Sequence, residues 1–315
     1  MGAPEQYTVY IQGNARMTIP ARVAGYSFAR WSREDVTITP HIMWAEEVDA
    51  LTRREGDSYL RGGVKIEWRN GDLCSFMPTR MLAPTLAGFK GRALVTDPDM
   101  FAIKDPLPLL RMDMQGKAMW AAPPPPYRDG PYETSLMLMD CAKMTHWKFE
   151  ERIEKMFRGE LDYSEWERLR LEDPDTVGTL GYEWNSMDIL DENTRILHNT
   201  NYMWWPWKSG RPVEYWEHQH WVRKGLSPYN AMRLVVKALR RRGRTLAGRV
   251  SSRFERQDIY PHHPDPRQEE SFIKLLREAV DAGALERWEI EREIELGHVR
   301  ADLLHCIDQG MAAAK

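Results

Sequence analysis

Asp97 and Asp99 stand one residue apart, directly after the short apolar run Ala93-Leu94-Val95-Thr96. In an extended backbone, residues i and i+2 point to the same side. Both carboxylates can therefore aim at one point just past the end of a buried strand. In open α/β sheets, that edge beyond the strand carboxyl ends is where ligands bind. Two hard oxygen ligands there suit Mg²⁺ or Mn²⁺ held together with a diphosphate. The plain alternative is a polar turn closing a strand, because Asp and Pro are common turn residues. A second copy, Asp173-Pro174-Asp175, lies in a charged, loop-like setting with no strand before it.

Several elements must exist to position the first pair. Tyr7 to Ile11 reads as a strand, rich in β-branched and aromatic residues. Gln12-Gly13-Asn14 then reads as a turn. From Ile19 to Trp31 the residues Val23, Ala24, Phe28 and Trp31 recur at helical spacing. Val36 to Thr39 is a second strand, which Pro40 is expected to stop. Strand, helix, strand predicts a βαβ unit and a mainly parallel sheet flanked by helices. Thr79 to Phe89 reads as a helix with Pro84 in its first turn or at a bend. Ala93 to Thr96 and Ser135 to Met139 are buried strands, and Ala121 to Pro126 is an extended surface run. Lys143 to Arg170 reads as helix, interrupted near Gly159.

Beyond Pro212 the pattern turns helical. Ser227-Pro228 and Asp265-Pro266 are helix starts, with a side-chain cap followed by Pro at the first helical position. The second of these helices carries the stripe Phe272, Leu276, Ala279, Val280 and ends near Gly283. Val299, Leu303, Leu304 and Ile307 suggest a last helix. The expected division is an α/β domain over residues 1–212 and an α-helical extension over 213–315.

With 315 residues the chain can bury a substantial core. Its net charge of −3 gives no nucleic-acid signature. Cys74, Cys141 and Cys306 form neither a metal-ligand spacing nor a disulfide framework, which suits a reducing compartment. No apolar run approaches the roughly 20 residues of a membrane helix, and no signal peptide is read. A cytoplasmic protein is expected. The face formed by Arg233, Lys237, Arg240, Arg241 and Arg244 is either a solvated helix face or a weak peripheral contact with the inner membrane face, at about 1 kcal/mol per basic residue.

Arg80-Met81-Leu82-Ala83-Pro84, Leu86, Lys90, Ala93-Leu94-Val95 and Asp97-Pro98-Asp99 together resemble the core signature of GT-A-fold nucleotide-sugar glycosyltransferases, especially the family 8-like glycogenin and galactosyltransferase type in its bacterial form. In that family a helix with Arg-Leu-x-x-Pro precedes a buried strand ending in Asp-x-Asp. Three later pieces keep the order. Ser135 to Asp140 is similar to the "Gly-Val-Met-Leu-x-Asn/Asp" strand, with Trp147 in a helix after it. Gly181-Tyr182-Glu183-Trp184-Asn185 is similar to "Leu-Pro-x-x-Trp-Asn". Ile196-Leu197-His198-Asn199-Thr200 with Pro206-Trp207 is similar to "Ile-x-His-x-x-Gly-…-Lys-Pro-Trp".

The resemblance implies a metal-dependent hexosyltransferase moving a sugar from a UDP-sugar to a glycan, lipid or protein acceptor, with no nucleic-acid partner. Asp97, Asp99 and His198 would hold Mn²⁺ or Mg²⁺. Arg80, Thr96, Asp97 and Lys208 would meet the donor, and Asn185 and Asp188 would lie near the sugar as catalytic residues. Trp205 stands where the family has Lys or Gln, and Glu133-Thr134 where it has Asn. Those departures leave a second reading, a carbohydrate- or partner-binding protein on the same fold. A metal-dependent phosphohydrolase is a third. Trp204 and Trp205 are equally a sugar-stacking surface or a core anchor, and Trp207 is read as packing.

Overall fold

A computed structural model describes residues 4–125, 130–214 and 259–309. Its centre is a six-stranded sheet in the order β2-β1-β5-β8-β7-β9. These strands are β1 (Glu5–Gly13), β2 (Val36–Trp44), β5 (Arg92–Thr96), β7 (Met119–Ala122), β8 (Glu133–Asp140) and β9 (Val177–Thr179). Only β8 runs against its neighbours, so the sheet is mixed and mainly parallel, as expected. A hairpin of β3 (Ser58–Arg61) and β4 (Val64–Glu67) lies apart from it. A small second sheet joins β6 (Met100–Ala102), β10 (Ser186–Met187) and β11 (Ile196–His198) in the order β10-β11-β6.

The sheet is covered on both faces, which explains why β5 and β8 read as continuous apolar runs rather than alternating ones. Leu94, Leu136 and Leu138 join one apolar cluster with Val9, Ile11 and the helix α1 (Thr18–Ala29). Ala93, Val95, Met137 and Met139 join the other, with Trp147, Trp166 and the helix α2 (Phe149–Phe157). The helix α3 (Pro266–Asp281) packs on α1, and Phe272, Ile273 and Leu276 belong to the first cluster. The helices α4 (Arg287–Glu295) and α5 (Leu303–Gln309) follow and close the same core through Ile290, Leu303 and Ile307. Among the described residues no helix is long and apolar enough to cross a membrane.

Several expectations change. β2 continues through Pro40 to Trp44, with Pro40 opposite Val9. β2 is an edge strand, and the missing proline N–H costs no ladder bond there. The helix read over 79–89 is instead a 3₁₀ segment Met77–Met81 followed by the single turn Ala83–Leu86, with Pro84 at its start. Trp147 lies in the turn before α2, not within it. α4 carries no clear sequence stripe and was not expected. Asp265 caps α3 by accepting from the Arg267 N–H, and Gly283 follows that helix at φ +68°, both as read. The basic face at Arg233 to Arg244 lies outside the described residues.

Candidate metal centre

The corner between the two sheets builds the site. β5 ends at Thr96, β6 starts at Met100, and Asp97-Pro98-Asp99 is the bend that joins them. The N–H of Asp97 donates to the Ser135 carbonyl at 2.9 Å, so the large sheet holds one side of the bend. β11 lies antiparallel to β6 with His198 opposite Met100, and the Asn199 N–H donates to the Asp99 carbonyl at 3.0 Å. This register sets His198 beside Asp99. One donor atom from each of Asp97, Asp99 and His198 lies within 4.8 Å of the other two. The bend sits at the carboxyl edge of the parallel strands β1 and β5.

Each ligand candidate is oriented by a neighbour. The Asn185 amide donates to Ser135 Oγ at 3.0 Å, which leaves its Oδ1 to accept from His198 Nδ1 at 2.8 Å. His198 Nε2 then faces Asp99 Oδ1 at 3.4 Å. Asp97 accepts from Arg80 at 3.1 Å and from the Gln12 amide. Asp99 Oδ1 is buried and has no hydrogen-bond partner. Two carboxylates and one imidazole, with one orphaned oxygen among them, fit a divalent cation such as Mn²⁺ or Mg²⁺. Hydrogen bonding of the second imidazole nitrogen is how proteins fix a ligating histidine.

Electrostatics point the same way. Burial pushes the Asp97 carboxyl up to about 6, although the Arg80 guanidinium opposes it and Asp99 adds to it. Burial alone would lower His198, but Asp99 beside it outweighs that and the imidazole is raised. The cluster therefore gathers protons where a cation would otherwise balance its charge.

The other expected residues divide. Arg80 is 2% exposed and donates to Thr134 at 2.8 Å and to the Met77 carbonyl as well as to Asp97. It is a buried clamp on Asp97. Thr96 is fully buried on β5. Lys208 is buried away from the bend's hydrogen bonds and donates to Glu214 at 2.9 Å. Asp188 holds φ +52° and donates its N–H to the His198 carbonyl at 2.8 Å, while its carboxylate accepts from the Asn201 N–H at 3.1 Å. Trp205 is 4% exposed and stacks on Trp207 at 5.1 Å, so it packs in the core, and Trp204 stays partly exposed. Asp173 caps a short 3₁₀ turn by accepting from the Asp175 N–H, both in solvent, which is the plain turn reading of the second copy.

Sequence reading missed Gln12, Ser135, His263 and Gln268. Gln268 is fully buried at the start of α3 and bridges the Asn199 side chain and the Asp188 carbonyl, at 2.7 and 2.8 Å. Nothing in its local pattern marks it, because its partners lie 69 and 80 residues away.

No family model matches this sequence, and no curated protein matches it. Among solved structures the chain is similar to the glycosyltransferase GlyE of Streptococcus pneumoniae TIGR4, with 12% identity and a TM-score of 0.48 over 75% of this chain. It spans 64% of the GlyE chain. It is also similar to the galactosyltransferase LgtC in complex with donor and acceptor sugar analogs, with 14% identity, a TM-score of 0.41, and 64% and 89% of the two chains covered. Mouse xyloside xylosyltransferase 1 aligns at 12% identity with a TM-score of 0.41, over 63% of this chain and 99% of that one.

Proposed function

We propose that the protein is a metal-dependent glycosyltransferase that moves a sugar from a UDP-sugar to an acceptor hydroxyl. The observation that carries this reading is the largely buried Asp97–Asp99–His198 cluster at the carboxyl edge of the sheet, where Asp99 Oδ1 receives no hydrogen bond. The motif order along the sequence, from Arg80 to Trp207, supports it.

Asp97, Asp99 and His198 would hold Mn²⁺ or Mg²⁺. Bound there, the cation supplies charge neutralisation to the departing diphosphate. Arg80 and Gln12 keep Asp97 turned toward the cluster, and Asn185 keeps His198 Nε2 turned toward Asp99. Asp188 follows from the same backbone, one hydrogen bond from His198, and is assigned to the sugar. Thr96 is the last residue of β5, directly before the bend.

The test is turnover. UDP release from a panel of UDP-sugars in Mn²⁺ is measured for wild type and for Asp99→Ala. The reading expects metal-dependent release that the variant lowers at least about a hundredfold. Stabilisation by UDP and Mn²⁺ with no turnover on any donor would favour the binding-protein reading. Hydrolysis of phosphomonoesters instead would favour a phosphohydrolase.

A further inference from the structure

His263 lies outside the resemblance yet reaches the site. It is 6% exposed, and its Nδ1 is engaged by the backbone of Asp265, 3.0 Å from the N and 2.9 Å from the O. Its Nε2 is buried with no hydrogen-bond partner. That nitrogen stands 4.0 Å from Asp188 Oδ1. The gap is too wide for a direct hydrogen bond. It is the right width for one oxygen placed between the two, at ordinary hydrogen-bond length from each. A hydroxyl has both a proton to give and a lone pair to offer. In the tautomer that carries its proton on Nε2, Nδ1 accepts from the Asp265 N–H, and a hydroxyl would accept from Nε2–H and donate to Asp188.

Two more features suit a sugar at this pair. The partly exposed Trp204 indole meets the His263 ring edge to face, at 5.6 Å and 76°. It offers an aromatic surface next to the polar pair, the combination that suits a ring with apolar C–H faces and polar rims. Asp188 is also rigidly placed. Its backbone is tied to the His198 carbonyl and, through Gln268, to α3, and its carboxylate is tied to the Asn201 N–H. Leaving a buried imidazole nitrogen unpaired costs free energy, which a bound hydroxyl would recover.

We propose that His263 and Asp188 share one hydroxyl of the transferred sugar, so that the segment before α3 completes the sugar subsite and sets donor preference. This rests on the glycosyltransferase reading. The choice of donor over acceptor follows from the direct backbone tie between Asp188 and the ligand strand.

The test titrates the full chain in Mn²⁺ with UDP and with UDP-glucose, UDP-galactose, UDP-xylose and UDP-N-acetylglucosamine. Its readout is the ratio of UDP-sugar affinity to UDP affinity. Wild type is expected to hold at least one donor more tightly than UDP. His263→Ala should cut that ratio about tenfold with UDP affinity kept, and His263→Gln, which retains an N–H donor, should restore part of it. In wild type, the deoxy donor lacking the shared hydroxyl should lose the same factor, and in His263→Ala it should lose nothing further. Equal weakening of UDP and UDP-sugar, or an unchanged ratio, would overturn the proposal and leave His263 as packing or as the partner of a water. Should His263→Ala not fold, His263→Gln and the deoxy donor on wild type decide the matter. Wild type that binds UDP but no donor more tightly refutes the shared hydroxyl alone. Wild type that binds no UDP removes the glycosyltransferase reading, and this proposal with it.

Discussion

His198 becomes a ligand candidate because of what its other nitrogen does. Nδ1 donates to Asn185 Oδ1, and Asn185 is pinned in turn by Ser135. Asn185→Leu keeps the size and removes the acceptor, so the imidazole is free to turn. Loss of such an orienting partner costs roughly 10–100-fold in metal affinity. Mn²⁺ titration of that variant checks it, and unchanged affinity would mean that Asn185 does not orient the ring. The thiols give a separate prediction from pH. Burial raises all three, Cys74 well above its ordinary value and Cys141 to about 12. A raised thiol holds its proton more tightly in the folded state, so thiolate is scarce at pH 8 and the thiols are poor nucleophiles. Alkylation of native protein at pH 8 should be slow and quicken as pH rises, whereas all three should react at once in denaturant. The linked stability term is full below the ordinary thiol range and is lost as pH climbs toward 12.

At the scale of elements, the legible parts were those with strong local periodicity or capping. β1, β5, β8 and α3 follow from apolar runs and from the Asp265-Pro266 start. The bend at Asp97 was legible because an apolar strand ends there in two carboxylates. What could not be read depends on pairing across the chain. β6, β10 and β11 have two or three residues each, too short for a pattern, yet their register brings His198 to Asp99. Pro40 misled because edge position is a property of the sheet, not of the residue. Arg80, read as a donor contact, is also buried against Asp97, a pairing that no local pattern shows. One close contact tests the sheet itself. Gly178 on β9 faces Trp120 on β7, and a Cβ there would sit 2.4 Å from the indole. Gly178→Ala should therefore destabilise the protein by about 1–3 kcal/mol, read from urea denaturation. A neutral result would show that Trp120, which is only partly buried, can swing aside.

The molecule as a whole is organised so that sequence-distant helices support the site. Phe272 on α3 packs on Phe101 of β6 at 5.5 Å and on Trp207 at 5.2 Å, directly behind the ligand-bearing strands. Phe272→Ala should cost about 3–5 kcal/mol, and far- and near-ultraviolet signals should melt together. An early melt confined to the C-terminal helices would show a separable extension instead. In the proposed reading, three side chains brought together where the two sheets meet hold one cation. Isothermal titration with Mn²⁺, with and without UDP, tests it most directly. One Mn²⁺ per chain is expected, held more tightly with UDP present, with no binding at that site in Asp99→Ala. Equal Mn²⁺ binding by wild type and Asp99→Ala, in the presence of UDP, would contradict it.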